Sequence, residues 1–298
     1  MKMGNPTKPW AHAARLLALC GALLVAACGG GGGDSATGGG GGGGTPAAAL
    51  SLFAGNTTSV NRFNLLNGVA LDAAGNVYVA DVFNQRIRKV TAAGVVTTLA
   101  GSGNPGSVDD PTGTSASFND PFAIAVDAAG NVYVADAANA RIRKITAAGE
   151  VTTLAGASFS YPTGVAVDAA GNVYVADNGG DSISKVTSAG VVTPLAGSGT
   201  SASVDGTGAA ASFSLPVGIV IDATGNLYVT EADTQLIRKV TPSGVVTTLV
   251  GQSSQSGFTP GALPGLIHQP NGIAVSGNDL YFTLGSTGIA KVSNGVRP

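Results

Sequence analysis

Asn76-Val-Tyr-Val-Ala-Asp81 is the stretch whose recurrence decides the fold: it returns as Asn131–Asp136, as Asn172–Asp177 and, altered, as Asn226–Glu231. Each copy lies in the same surroundings. A GVALD-like run precedes it, an RIRKV-like run follows it, and then come AAG, SAG or PSG and a VVTTLAG-like run. Four short apolar runs divided by Gly, Asp and Asn turn chemistry describe one four-stranded antiparallel sheet. Serial copies of such a sheet make an all-β chain, a β-propeller.

Aligned on the residue that ends the first strand, the units fall at Asp72, Asp127, Asp168, Asp222 and Ser276, which predicts five blades. In the first unit the strands are expected at Gly68–Leu71 (a), Val77–Ala80 (b), Arg86–Thr91 (c) and Val95–Ala100 (d). The spacing of the units varies through one connection only, that from strand d to the next strand a. Strand b is apolar on both faces, as a sheet packed between two others requires. Strand a is made of small residues such as Gly68, Ala70, Ala123, Gly164 and Ala166, which suit a crowded centre. The fifth unit has no VVTTLAG, whereas Ala49-Leu-Ser-Leu-Phe-Ala-Gly55 matches that pattern ahead of the first unit. The N-terminal strand is therefore expected to complete the last blade and close the ring. Six blades is the alternative.

Residues 1–27 read as a secretory signal: Lys2, Lys8 and Arg15, then the apolar run Leu16–Ala27, too short to span a bilayer. Val25-Ala-Ala-Cys28 resembles a bacterial lipobox, which implies cleavage before Cys28 and lipid on that cysteine. Residues 28–48 form a Gly-rich tether whose Gly29–Gly44 portion spans roughly 20–25 Å as a flexible coil, and 49–298 are the propeller. Gly29 in place of Asp after the cysteine resembles the outer-membrane sorting pattern. Removing residues 1–27 takes three basic and no acidic residues, leaving 12 Lys plus Arg against 17 Asp plus Glu. This mild acidity argues against a nucleic-acid partner. With Cys20 inside the signal and Cys28 lipidated, no disulfide forms within the mature chain.

The units resemble the NHL repeat. Its pattern of proline, GIAVD, GNVYVAD and Asn-x-Arg-Ile is met almost residue by residue from Pro121 to Ile142, with Ala123 in place of the first glycine. The resemblance covers the chain from about Ala49 onward and departs in two respects. Members often have six blades, and the third copy has Gly180-Asp181-Ser182 where Asn-x-Arg is usual. It implies a fold rather than an activity, since members include sensors, RNA-binding domains and a lyase. The three-histidine zinc site implied for that lyase cannot be assembled here: His12 lies in the signal and His268 is the one other histidine.

In a meander the d-to-a connections and b-to-c turns share one face. The long connections Gly101–Phe118, Gly197–Phe213 and Gly251–Gln269 lie there, so this is the candidate binding face. Asp81, Asp136, Asp177 and Glu231 end strand b on that face. A carboxylate ring would suit Ca²⁺ or a cationic ligand, whereas a structural reading has each acid capping its own turn or pairing with Arg86 or Arg141. Tyr161, Phe258 and His268 are the aromatic candidates, while Phe118 and Phe213 are expected between blades. Asp72, Asp127, Asp168 and Asp222, on the opposite face, are expected to cap turns. The Arg and Lys of the RIRK runs are expected on solvated outer edges. Gly101–Gly106 fits GxGxxG but has no following helix, so it is not a dinucleotide site.

These readings converge on a non-catalytic scaffold that binds a protein or small ligand. It is expected to be monomeric, lipid-anchored in the bacterial cell envelope, at the outer membrane by the sorting pattern, with no cofactor, metal or catalytic residue. A metal-dependent hydrolase resembling gluconolactonase is the alternative.

Overall fold

The computed structural model describes residues 62–156 and 158–293, together with residue 54. Twenty strands lie in five sheets. Blade 1 contains β1 (Leu66–Leu71), β2 (Val77–Asp81), β3 (Arg86–Val90) and β4 (Val96–Ala100). Blade 2 contains β5 (Pro121–Val126), β6 (Val132–Asp136), β7 (Arg141–Ile145) and β8 (Val151–Gly156), and blade 3 contains β9 (Pro162–Val167), β10 (Val173–Asp177), β11 (Ser182–Val186) and β12 (Val192–Ala196). In blade 4, β14 (Pro216–Ile221), β15 (Leu227–Glu231), β16 (Leu236–Val240) and β17 (Val245–Val250) are joined by the two-residue β13 (Gly206–Thr207) outside β17. Blade 5 shows β18 (Pro270–Ser276), β19 (Asp279–Leu284) and β20 (Gly288–Val292). The strand that would complete it, expected at 49–55, lies outside the described residues except for residue 54, and the signal, Cys28 and the tether lie outside them entirely.

The strands pair in simple meander order, and the same irregularity recurs between the third and fourth strands of blades 1 to 4, at Ile87/Arg88, Ile142/Arg143, Ile183/Ser184 and Ile237/Arg238. A bulge re-aims the side chain that follows it. Here that side chain is Arg88, Arg143 or Arg238, and all three are buried. This corrects the expectation of solvated edges for these arginines. The lysine that follows the bulge position behaves differently: Lys89, Lys144 and Lys185 lie over the rings of Tyr78, Tyr133 and Tyr174 at 5.4, 5.9 and 5.6 Å.

Four apolar clusters fill the four spaces between consecutive blades. Blades 1 and 2, for example, share Tyr78, Ala80, Ile87, Phe118, Ile124 and Val134. The first strands pack in sequence, β1 on β5, β5 on β9, β9 on β14 and β14 on β18. Their small residues follow from that approach: a Cβ on Gly68 would sit 2.7 Å from the Ala123 Cα, and one on Gly164 2.5 Å from the Val217 carbonyl oxygen. Among the described residues β18 makes no comparable contact with β1, and Val69, Leu71 and Ile289 are 66%, 65% and 75% exposed.

On the face with the short turns, Asp72, Asp127, Asp168 and Asp222 act alike. One carboxylate oxygen accepts the amide N–H groups two and four residues on. The other accepts from Asn76, Asn131, Asn172 or Asn226 and from the hydroxyl of Tyr78, Tyr133, Tyr174 or Tyr228. The Asp-x3-Asn-x-Tyr spacing thus builds each a-to-b hairpin.

Candidate binding face

Asp81, Asp136, Asp177 and Glu231 are buried at the ends of the second strands. Each is occupied by its own blade. Asp81 accepts from the Asn64 amide at 2.8 Å and from Asn84 at 2.9 Å, with Arg88 at 4.0 Å. Asp136 accepts from the Asn119 amide, from Asn139 and from Arg143 Nη1 at 2.7, 2.8 and 2.9 Å. Asp177 takes the Ser160 and Tyr161 amides at 2.9 and 2.8 Å, and Glu231 takes Ser203, Thr234 and Arg238 Nη1. The charge partner of Asp81, Asp136 and Glu231 is the arginine at the bulge, Arg88, Arg143 or Arg238, a position that Ser184 takes in blade 3. Arg86, by contrast, donates to the Ser102 carbonyl.

Burial pushes the Asp136 carboxyl above its ordinary range, against the pull of the Asn119 amide, Asn139 and Arg143. Burial likewise raises Asp177 and Glu231. Asp136 and Glu231 fix the d-to-a connection, the b-to-c turn and the buried arginine to one another, whereas Asp177 joins the connection and the turn alone. Among the described residues no group of three or more His, Cys, Asp or Glu is placed to hold a metal ion.

The connections 101–118 and 197–213 differ in sequence, yet they form one device. Arg143 is held from the connection side by Asp109, the Val108 carbonyl and the Ser117 carbonyl, and its guanidinium lies 5.0 Å from the Phe118 ring. Arg238 is held by Asp205 and the Ser212 carbonyl, 5.5 Å from Phe213. Asp109 also accepts from the amide and hydroxyl of Thr153, as Asp205 does from Thr248. Each connection therefore clamps the outer strand of the blade that follows it. The recurring Ser-Val-Asp at Ser107–Asp109 and Ser203–Asp205 was the available signal for this clamp.

The third long connection is built differently. Phe258 and Leu263 are 56% and 48% exposed, and the Ser256 hydroxyl lies 2.6 Å from His268 Nδ1. Ile267 anchors the segment in the cluster between blades 4 and 5. Phe258 and His268 thus share this connection. Tyr161 lies apart, half-buried at the start of β9, with its hydroxyl pushed up to about 12 by burial and by the charge of Asp120.

A second set of side chains on this face escaped the sequence reading. The left-handed residue that closes the b-to-c turn, Gln85, Asp181 or Gln235, reaches the next blade. The amide of Asp120 donates to Gln85 Oε1 at 2.9 Å, that of Leu215 to Asp181 Oδ1 at 2.8 Å, and that of Gln269 to Gln235 Oε1. Asp120, Leu215 and Gln269 are themselves left-handed, with φ of 53°, 48° and 43°. Each latch holds a backbone conformation that L-residues rarely adopt.

Serial four-stranded blades packed through their first strands define the class of protein: a β-propeller. The NHL repeat model matches residues 159–185, which cover the entry to blade 3 and its first three strands, so this is a β-propeller carrying an NHL repeat. No protein of curated function matches the chain by sequence. Among solved structures, an auxiliary nutrient binding protein from Bacteroides ovatus is similar at 20% identity and a TM-score of 0.62, the match covering 80% of this chain and 61% of that one. The nidogen/laminin complex gives 22% identity, a TM-score of 0.58 and coverages of 78% and 76%. A streptogramin B lyase gives 18%, 0.52, 76% and 68%. At these identities the likeness is one of fold.

Proposed function

We propose that the propeller is a non-catalytic, ligand-binding scaffold that presents the connection 251–269 to a small molecule or protein. The observation that carries this reading is the contrast between the three long connections. Two are spent on clamping an arginine and an outer strand, each exposing one valine, Val108 or Val204, whereas the third makes no such clamp among the described residues and leaves the larger Phe258 and Leu263 in solvent. Exposed apolar side chains on a loop held by a rigid frame suit recognition. The similarity to auxiliary nutrient binding proteins supports a binding role by analogy of fold.

The reading extends to the N-terminus as a proposal: cleavage before Cys28, lipid on that cysteine, and a glycine-rich tether that holds a monomeric propeller off an envelope membrane. The sequence order Val25-Ala-Ala-Cys28 and Gly29–Gly44 supports it.

The test of the face uses Phe258→Ser and Leu263→Ser, which remove exposed groups and should change stability by no more than about 0.5 kcal/mol. Binding of a panel of oligosaccharides, peptides and amines, followed by thermal shift, should weaken in both variants while their own unfolding midpoints stay put. Undiminished binding would move the site elsewhere. Cys28→Ser should release the processed chain from the membrane fraction, and a variant that still fractionates with membranes would refute the anchor.

A further inference from the structure

The first strands pack on one another in sequence, and the residue preceding each lies at the end of its strand on the connection face. Going round, these residues are Leu65, Asp120, Tyr161, Leu215 and Gln269. Asp120 and Tyr161 are neighbours, on blades 2 and 3, whose entry strands β5 and β9 pack together. Both are held from the backbone, Asp120 through the Gln85 latch and Tyr161 through the Asp177 carboxylate. Their side chains, by contrast, are poorly satisfied.

Asp81, Asp136, Glu231, Asp109 and Asp205 each face an arginine, and Asp177 accepts backbone amides. Asp120 is half-buried with no cationic side chain within ion-pair distance among the described residues, and Gln85 is its one hydrogen-bonding side-chain neighbour. Burial pushes its carboxyl up, the mark of an anion that has lost water without gaining a counter-charge. Its charge in turn reaches the Tyr161 phenol. That hydroxyl has no hydrogen-bond partner among the described residues.

We propose that Asp120 and Tyr161 form a recognition subsite on the connection face for a small organic cation, an amine or quaternary ammonium group. A carboxylate supplies the opposite charge, and a tyrosine ring supplies the negative face that attracts ammonium groups. An incoming cation restores what the carboxylate lost on burial, which makes the site selective for charge over shape. A bare metal ion is disfavoured because the pair offers one carboxylate and one neutral phenol. The proposal rests on the ligand-binding reading above and specifies where the charged end of such a ligand sits.

The experiment is calorimetric titration of the purified propeller with tetramethylammonium, n-butylammonium and n-butanol at fixed sodium chloride concentration. Either cation should bind saturably and butanol should not. Asp120→Asn keeps the shape and tolerates the left-handed backbone. It should weaken cation binding by about tenfold or more, as loss of a charged partner implies, with an unchanged unfolding midpoint. Tyr161→Phe keeps the ring and should retain tetramethylammonium binding. Absence of saturable binding by both cations, equal binding of butanol, or equal affinity in Asp120→Asn would overturn the site. Phe258→Ser separates the two claims. Panel binding that depends on Phe258 in a protein that binds no ammonium ion sinks the cation subsite alone. Ammonium binding that depends on Asp120, with panel binding indifferent to Phe258, sinks the loop.

Discussion

Arg143 and Arg238 are cations with no solvent exposure, each held between a buried carboxylate and a half-exposed one. Removing one partner of a buried pair leaves the other uncompensated, which costs about 3–5 kcal/mol. Arg143→Met should therefore destabilise strongly in denaturant titration. Arg88→Met should cost less, because Arg88 stands 4.0 Å from Asp81. Equal losses would mean that packing in the bulge, rather than charge, sets the penalty. Asp222 makes a different prediction. Burial opposes its ionisation, but Asn226, Thr224 and two backbone amides outweigh burial and hold its carboxyl below the ordinary range. The stabilisation it provides is complete above the unfolded carboxylate value, near about 3.9, and is lost as pH falls through the lower folded value. Asp222→Asn should lack that share of the acid-side loss. Superimposable pH profiles for parent and variant would show that the turn does not depend on the charge.

Blades and turns were legible because each is written in local sequence. The Asp-x3-Asn-x-Tyr spacing, the glycines of the hairpins and the apolar alternation all act within one hairpin. The clamp and latch contacts, which the sequence does not announce, join residues 26 to 44 positions apart, as Asp109 joins Thr153 and Arg143 joins Ser117. Nothing in a run such as RIRK says which arginine turns inward, because a bulge in the pairing with the next strand decides it. The two clamping connections also looked like variable loops when only their lengths and unlike residues were compared. If the clamp acts as described, Asp205→Ala should free the outer edge of blade 4. Amide exchange at Thr248 should then accelerate, while that of Thr153, held by Asp109 in blade 2, stays slow. Unchanged protection at Thr248 would leave the clamp without mechanical effect.

For the whole molecule the question is how a row of blades becomes a ring. Contacts run from blade 1 to blade 5 through four apolar clusters, and the described residues end with apolar side chains exposed at both ends. The stretch Ala49–Gly55 lies outside those residues apart from Ala54 and carries the outer-strand pattern that blade 5 lacks among the described residues. Deleting it should lower stability by on the order of a few kcal/mol, a large part of a typical total. Thermal unfolding indifferent to the deletion would refute closure by that strand. The clamps also have a genealogical meaning. Because each of the two clamping connections grips the blade after it, the unit that carries its own fastening begins at Gly101 or Gly197 and ends with the outer strand that its own Asp109 or Asp205 holds. A duplication cut at those glycines copies a blade together with its fastening. One cut at Pro121 or Pro216 leaves the fastening behind, so inherited changes in blade number should have their seams at the glycines.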